Sequence, residues 1–166
     1  GLATLAESAA AIEPSKGGNA MCEIFGNYGW AEGVRLEKYL ADHFLVRGIN
    51  WFVPHAFSGK AFPDPDCPPH FYAHGHNPQY RHFGRLMAYM NRMATLTSAG
   101  VHEAPVAVLY HGEAEWCDPG AMPFEQVVRP LYDDQIACRV LPADVFSEPG
   151  RYQTEIANPL IVNGQP

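Results

Sequence analysis

The sequence predicts an α/β protein with parallel strands, because short apolar segments alternate with amphipathic helical segments along the chain. The predicted strands are residues 20–25, 49–53, 106–110 and 138–141. Each is a short apolar run, and the third is rich in β-branched residues, which is typical of a buried strand. Helical segments separate the strands, and such strand–helix–strand units form parallel sheets with right-handed crossovers.

Four helices are predicted from residue spacing, at residues 2–12, 31–47, 79–97 and 124–135. Residues 79–97 carry the clearest pattern, since apolar side chains recur every three or four positions. Gly48 is well placed to end the second helix, and Pro130 is expected to kink or split the fourth. Between them, residues 54–78 are rich in Pro, Asp, His and aromatic residues. A loop of this length without periodicity is usually functional.

The bulk composition limits the classes of function. The 166 residues are 47% hydrophobic and 17% charged, which is typical of a globular protein. The net charge of −7 with scattered basic residues argues against a nucleic-acid partner. No apolar run approaches bilayer length, so no membrane partner is expected. Four cysteines without a Cys-x-x-Cys pair predict reduced thiols and a cytoplasmic location. The start at Gly1 suggests an excerpt of a longer chain.

Three of the predicted strands are followed by side chains suited to carbohydrate binding. The carboxyl ends of parallel strands are where ligands bind in α/β folds. Aromatic rings stack on the apolar face of a sugar, while carboxylates, amides and imidazoles bind its hydroxyls. The candidates are Glu23, Asn27, Tyr28, Trp30, His55, Phe57, Glu113, Glu115 and Trp116. These residues predict a carbohydrate substrate.

Glu23 is the one carboxylate within an apolar strand, and three interpretations of it are open. It is either a functional group near the carboxyl end of the strand, a surface residue that points outward, or the partner of an arginine in the core. The aromatic residues that follow this strand and the next favour a functional role.

The loop histidines raise the question of a metal site. His70, His74 and His76 lie close together, with Asp64, Asp66 and Cys67 upstream. His-Gly-His is a weak ligand signature, and no helix places two imidazoles on one face. We therefore expect no metal, and we expect His74 and His76 to bind backbone or substrate hydroxyls. Nucleotide-binding glycine motifs are absent, so no cofactor is expected.

Three segments carry a family resemblance. Residues 21–30 (MCEIFGNYGW), 45–58 (LVRGINWFVPHAFS) and 64–69 (DPDCPP) resemble bacterial glycoside hydrolases with a (β/α)8 catalytic barrel. Residues 106–116 resemble the join to a following Rossmann-like domain, a layout similar to that of family 42 β-galactosidases. The resemblance implies that residues 1–103 are the C-terminal portion of the barrel, its last two βα units. Residues 104–166 would then be the N-terminal portion of a Rossmann-like α/β domain.

The resemblance also implies roles for individual residues. Glu23 matches the nucleophile on the seventh barrel strand, and His55 lies at the mouth of the eighth. Trp30 and Trp116 would stack on sugars, while Asn27, His55 and His74 would contact hydroxyls. A retaining enzyme needs a second carboxyl as acid/base, which in such barrels comes from the fourth strand. Because this chain has no earlier strands, it is predicted to be inactive alone.

Two other interpretations remain open at this point. The first is a self-contained flavodoxin-like domain with a single open three-layer α/β sheet, which binds a small molecule or a protein and catalyses nothing. The second is a domain that serves only in assembly. Two barrel strands do not close a barrel, so a fragment of this kind is expected either to pack its strands into one open sheet or to form a homo-oligomer through exposed strand edges.

Overall fold

A computed structural model describes all of residues 1–166. The helices are α1 (Leu2–Ile12), α2 (Val34–Leu45), α3 (Tyr80–Ser98), α4 (Gly112–Cys117), α5 (Glu125–Asp133), α6 (Asp144–Ser147) and α7 (Pro149–Tyr152). The strands are β1 (Met21–Ile24), β2 (Trp51–Pro54), β3 (Val106–Tyr110) and β4 (Cys138–Pro142). Both strand pairs are parallel, so the predicted α/β class with parallel strands is confirmed.

The chain divides into two compact units. The central unit is Met21–Gly100, and the terminal unit combines Gly1–Ala20 with Val101–Pro166. The family resemblance predicts one domain over residues 1–103, whereas α1 packs on β4 and belongs with the C-terminal residues. Each unit contains one two-stranded sheet, β1–β2 or β3–β4. The four strands therefore do not form the single open sheet of the alternative interpretation.

In the central unit, helices cover one face of the β1–β2 sheet. The core consists of Ile24, Phe25, Ala41, Phe71, Leu86 and Met90. Alternation along β1 turns Cys22 and Ile24 toward this core. After α2, Gly48 takes a φ of +84°, and its N–H donates to the carbonyl of Leu45. Its predicted role as the helix stop is confirmed, because a positive φ is costly for any residue except glycine.

The opposite face of the β1–β2 sheet is open to solvent. Met21, Trp51 and Val53 are 55%, 63% and 51% exposed on this face. Parallel sheets normally have both faces covered. The central unit therefore presents an apolar sheet face that none of its own elements cover.

In the terminal unit, the β3–β4 sheet packs between two apolar clusters. Val108, Cys138 and Val140 contact Phe124 and Val128 of the α5 region. A second cluster contains Leu141 together with Ile12, Val145, Tyr152 and Val162. Helix α1 lies along β4, where the buried hydroxyl of Ser8 accepts a hydrogen bond of 2.9 Å from the Val140 N–H. This bond satisfies a strand-edge donor that would otherwise be buried without a partner.

Replacing Ser8 by Ala is expected to destabilise the terminal unit by about 1–3 kcal/mol, because the Val140 N–H would stay buried with no acceptor. Urea unfolding followed by circular dichroism measures this loss. Ser15→Ala is the control, since the Ser15 hydroxyl contacts only Glu13 at the surface. Equal urea midpoints of unfolding for the Ser8→Ala and Ser15→Ala variants would contradict this role of the Ser8 hydroxyl at the β4 edge.

One local expectation differs from the structure. Pro130 lies inside α5 without splitting it. Because Pro130 is exposed and the helix is short, the one missing hydrogen bond costs little. Residues 112–117, between the third predicted strand and the fourth predicted helix, form α4. After α7 ends at Tyr152, one antiparallel bridge joins Glu155 to Ile161. No helix of the chain has the length and apolar character needed to cross a bilayer.

Candidate functional site

Glu23 lies on the open face of the β1–β2 sheet. Its Cα pairs with that of Val53, and its side chain is exposed, whereas Ile24 is buried against the helices. The carboxylate forms no ion pair, so Glu23 is not the core partner of an arginine. Strand alternation directs it away from the helix-packed side, at the third of the four β1 residues.

His55 follows directly after β2, beside the end of β1. The backbone N–H of His55 donates to the Ile24 carbonyl at 2.8 Å, which extends the pairing of β1 and β2 by one residue. Its ring packs over Gly26, where a Cβ atom would approach the ring Cγ to 3.3 Å. The Nδ1 atom is buried and has no hydrogen-bond partner. The imidazole is therefore held against the turn that follows β1, two residues beyond the position that pairs with Glu23.

A buried carboxylate organises the loop after β2. Asp64 accepts hydrogen bonds from the Ser58 hydroxyl at 2.5 Å and from the Asp66 N–H at 3.1 Å. The Ser58 bond is the main cause that lowers the pKa of Asp64, with further contributions from the Asp66 N–H and the Lys60 charge. The Lys60 ammonium lies 3.0 Å from Asp66 and 3.9 Å from Asp64, so it balances both carboxylates. No group of three or more His, Cys, Asp or Glu side chains is arranged to hold a metal ion.

The loop is joined to the segment that follows β1. The Gly29 N–H donates to the Pro68 carbonyl at 2.9 Å. The pKa of the Cys67 thiol is raised, mainly by its hydrogen bond with Asp66 and by burial, and the Glu23 charge contributes. The Gly29–Pro68 hydrogen bond therefore fixes the loop against the segment that follows β1.

An aromatic cluster lies where these two segments meet. Trp30 contacts Phe62 and His70 edge-on, with ring centroids 5.6 and 5.8 Å apart. Phe62 in turn stacks on His76 at 4.1 Å with an interplanar angle of 12°. The structure thus links two predicted residues, Trp30 and His76, through Phe62. Sequence analysis did not select Phe62, because no spacing pattern distinguishes it from the other aromatic residues of the loop.

The remaining central-unit candidates lie at the surface. The His74 Nε2 donates to the Lys60 carbonyl at 2.7 Å, which is a backbone contact of the kind expected for this loop. Asn27 adopts a φ of +66° in the turn after β1, and Tyr28 beside it is exposed. Phe57 is also exposed, and its ring contacts Phe71, Tyr80 and Phe83.

Three predicted residues belong to the terminal unit. Glu115 accepts a hydrogen bond of 2.8 Å from the Phe124 N–H, next to the start of α5. The neighbouring His111, which is not one of the three, donates from Nε2 to the Met122 carbonyl at 2.6 Å. Glu113 and Trp116 are exposed on α4. The Glu115 carboxylate therefore has a local structural role, in which it satisfies an unpaired donor near a helix terminus.

Sequence analysis missed a pair of buried carboxylates in the central unit. Glu32 and Glu37 are 5% and 4% exposed, and both oxygens of Glu32 and Oε2 of Glu37 have no hydrogen-bond partner. Burial and the Glu37 charge raise the pKa of Glu32 to about 7, and burial raises the pKa of Glu37. A signal was present, since Glu37, Ala41 and Leu45 recur every four residues along the buried side of α2.

The chain matches no protein-family model, and neither a curated protein nor a solved structure is significantly similar to it. The structural class of the protein is therefore taken from its fold alone. The chain is a mixed α/β protein with parallel strands in two small sheets. Its central unit presents an exposed glutamate and a partly buried histidine at neighbouring strand ends.

Proposed function

We propose that this chain supplies the nucleophile-bearing part of a retaining glycoside hydrolase of bacterial type. One observation carries the proposal: Glu23 lies on the sheet face opposite the helices, one residue before the end of a parallel strand. In a (β/α)8 barrel the helices lie outside, the other face of each strand points to the barrel interior, and catalytic residues lie at the carboxyl ends of the strands. The position of Glu23 fits that of a barrel nucleophile.

The rest of the open face supports the same assignment. Met21, Trp51 and Val53 are apolar, as are the side chains that fill the interior of a barrel. The outer edges of β1 and β2 are unpaired, because each strand has one neighbour. In the proposed enzyme further βα units cover this face and pair with these edges. In the isolated chain the same edges are available to a second copy.

The terminal unit supports the second half of the proposal. Its β3–β4 pair is parallel and is covered by α5, as in the start of a Rossmann-like domain. All four cysteines are free thiols, which agrees with the proposed cytoplasmic location. The self-contained flavodoxin-like domain has less support, because it requires one continuous sheet and the strands form two.

In the proposed reaction, Glu23 attacks the anomeric carbon of a sugar and displaces the leaving group. A second carboxyl, about 5–5.5 Å away on another strand, protonates the departing oxygen. The same group then deprotonates the water that hydrolyses the glycosyl-enzyme ester and releases Glu23. In the proposed enzyme His55, beside the Glu23 strand, binds a sugar hydroxyl, and Trp30 stacks on the ring.

Two experiments test this proposal, one on the purified chain and one on the gene that encodes it. Purified residues 1–166 are expected to hydrolyse none of a panel of p-nitrophenyl glycosides, because the proposed acid/base carboxyl lies on a barrel strand outside these residues. The surrounding reading frame is expected to encode six more βα units upstream, with a carboxylate after the fourth strand. Robust turnover by the chain alone, or a stop codon followed by a start codon just before Gly1, would contradict the proposal.

A further inference from the structure

Three exposed aromatic rings form a continuous surface on the central unit, which we call the tyrosine platform. It consists of Phe57, Tyr72 and Tyr80, which are 60%, 49% and 39% exposed. Tyr72 meets Tyr80 edge-on, with ring centroids 5.0 Å apart and an interplanar angle of 61°, and Phe57 meets Tyr80 edge-on at 6.2 Å and 86°. The three residues come from the loop after β2 and the first turn of α3, so the fold assembles a surface that no sequence motif contains.

The platform rests on the core of the central unit. Phe83 lies beneath Phe57 and Tyr80, at 5.7 and 6.1 Å, and Phe71 contacts both Phe57 and Phe83. Phe71 is fully buried in the core cluster, against which Phe83 also packs. Rings held in this way lose little conformational freedom on binding, and preformed surfaces of this kind favour ligand binding.

The position of the platform connects it to the proposed catalytic site. Phe57 is two residues after His55, and the Phe71 N–H donates to the Ala56 carbonyl at 3.0 Å. The platform therefore starts at the same strand end that carries His55. No intramolecular hydrogen bond engages the hydroxyl of Tyr72 or of Tyr80, so both are available to a ligand.

We propose that the tyrosine platform binds a sugar unit of the substrate other than the one attacked by Glu23, so that the substrate is an oligosaccharide. This inference rests on the proposed function. Aromatic faces with adjacent free hydroxyls match a sugar ring, which offers an apolar C–H face and hydroxyls at its edge.

The test uses residues 1–166 on an array of neutral oligosaccharides of two to eight units, followed by titration of the best ligand monitored by NMR. Binding is expected to strengthen with chain length. A Tyr72→Ala/Tyr80→Ala variant is expected to bind about tenfold more weakly or worse. Tyr39→Ala, which removes an exposed tyrosine from α2, is the matched control and is expected to bind as the wild type does. Thermal melts establish that each variant is folded.

The outcomes separate this inference from the proposed function. If Glu23→Gln keeps oligosaccharide binding and the double variant loses it, the platform is supported whatever the role of Glu23. No binding across the array, or equal binding by the double variant, overturns the inference and leaves the Glu23 proposal standing. Sedimentation that shows a dimer disrupted by the double variant would also overturn it, because a second copy would then occupy the platform.

Discussion

Replacing Glu23 by Gln in the proposed glycoside hydrolase is expected to lower kcat about 10³–10⁴-fold or more. The amide has almost the same shape as the carboxylate but does not act as a nucleophile. Because Glu23 is exposed on the open face and forms no ion pair, its replacement removes no buried contact of the central unit. The fold should therefore persist. Steady-state kinetics on an aryl glycoside, together with the far-ultraviolet circular dichroism spectrum, measures both expectations.

Glu125→Gln provides the control for this substitution. Glu125 is an exposed glutamate at the start of α5 and has no place in the proposed site. Its variant should retain the wild-type kcat. A Glu23→Gln enzyme that is folded and retains activity within a few-fold of the wild type would remove Glu23 from the role of nucleophile.

The central unit is expected to lose stability as the pH rises through neutrality, because Glu32 must ionise while buried. The pKa of Glu32 in the folded chain is about 7, raised from 4.5 by burial and by the Glu37 charge. Because the folded-state pKa is raised, the stability that the protonated Glu32 provides is fully present below pH 4.5. It is lost as the pH rises through the folded-state pKa of about 7. Each pKa unit corresponds to about 1.4 kcal/mol, so the loss between about pH 5 and pH 8.5 is on the order of 2 kcal/mol.

Glu32→Gln should remove most of this pH dependence, because the amide does not ionise. Hydrogen exchange of the α2 and α3 amides at several pH values reports on the central unit alone. Glu103→Gln, an exposed substitution in the terminal unit, is the control and should leave the α2 and α3 profile unchanged. Equal pH dependence in the wild type and the Glu32→Gln variant would show that Glu32 is not the group responsible.

The elements that depend on local patterns were predicted well from the sequence. Helix α1 covers residues 2–12 as expected, and α3 lies within one residue of its predicted bounds. The strands were predicted as well, because continuous apolar runs between turn residues leave few alternatives. Gly48 was identified as a helix stop for the same local reason.

Features that depend on long-range contacts were not predicted. The assignment of α1 to the terminal unit depends on its packing against β4, which includes the hydrogen bond between Ser8 and Val140, 132 residues apart in the chain. The stack of Phe62 on His76 and the platform formed by Tyr72 and Tyr80 depend on how the loop folds back. The burial of Glu32 also depends on long-range contacts, since the segment around it has no periodic pattern that would predict a buried position.

The most direct test of the Glu23 assignment is covalent trapping in the glycoside hydrolase that we propose includes residues 1–166. A dinitrophenyl glycoside with fluorine at C2 forms the glycosyl-enzyme without needing the acid, and the fluorine slows its hydrolysis. Peptide mass spectrometry is expected to find the sugar ester on Glu23, and no label on the Glu23→Gln variant. A label on a different carboxylate, or an equally labelled Glu23→Gln variant, would contradict the account.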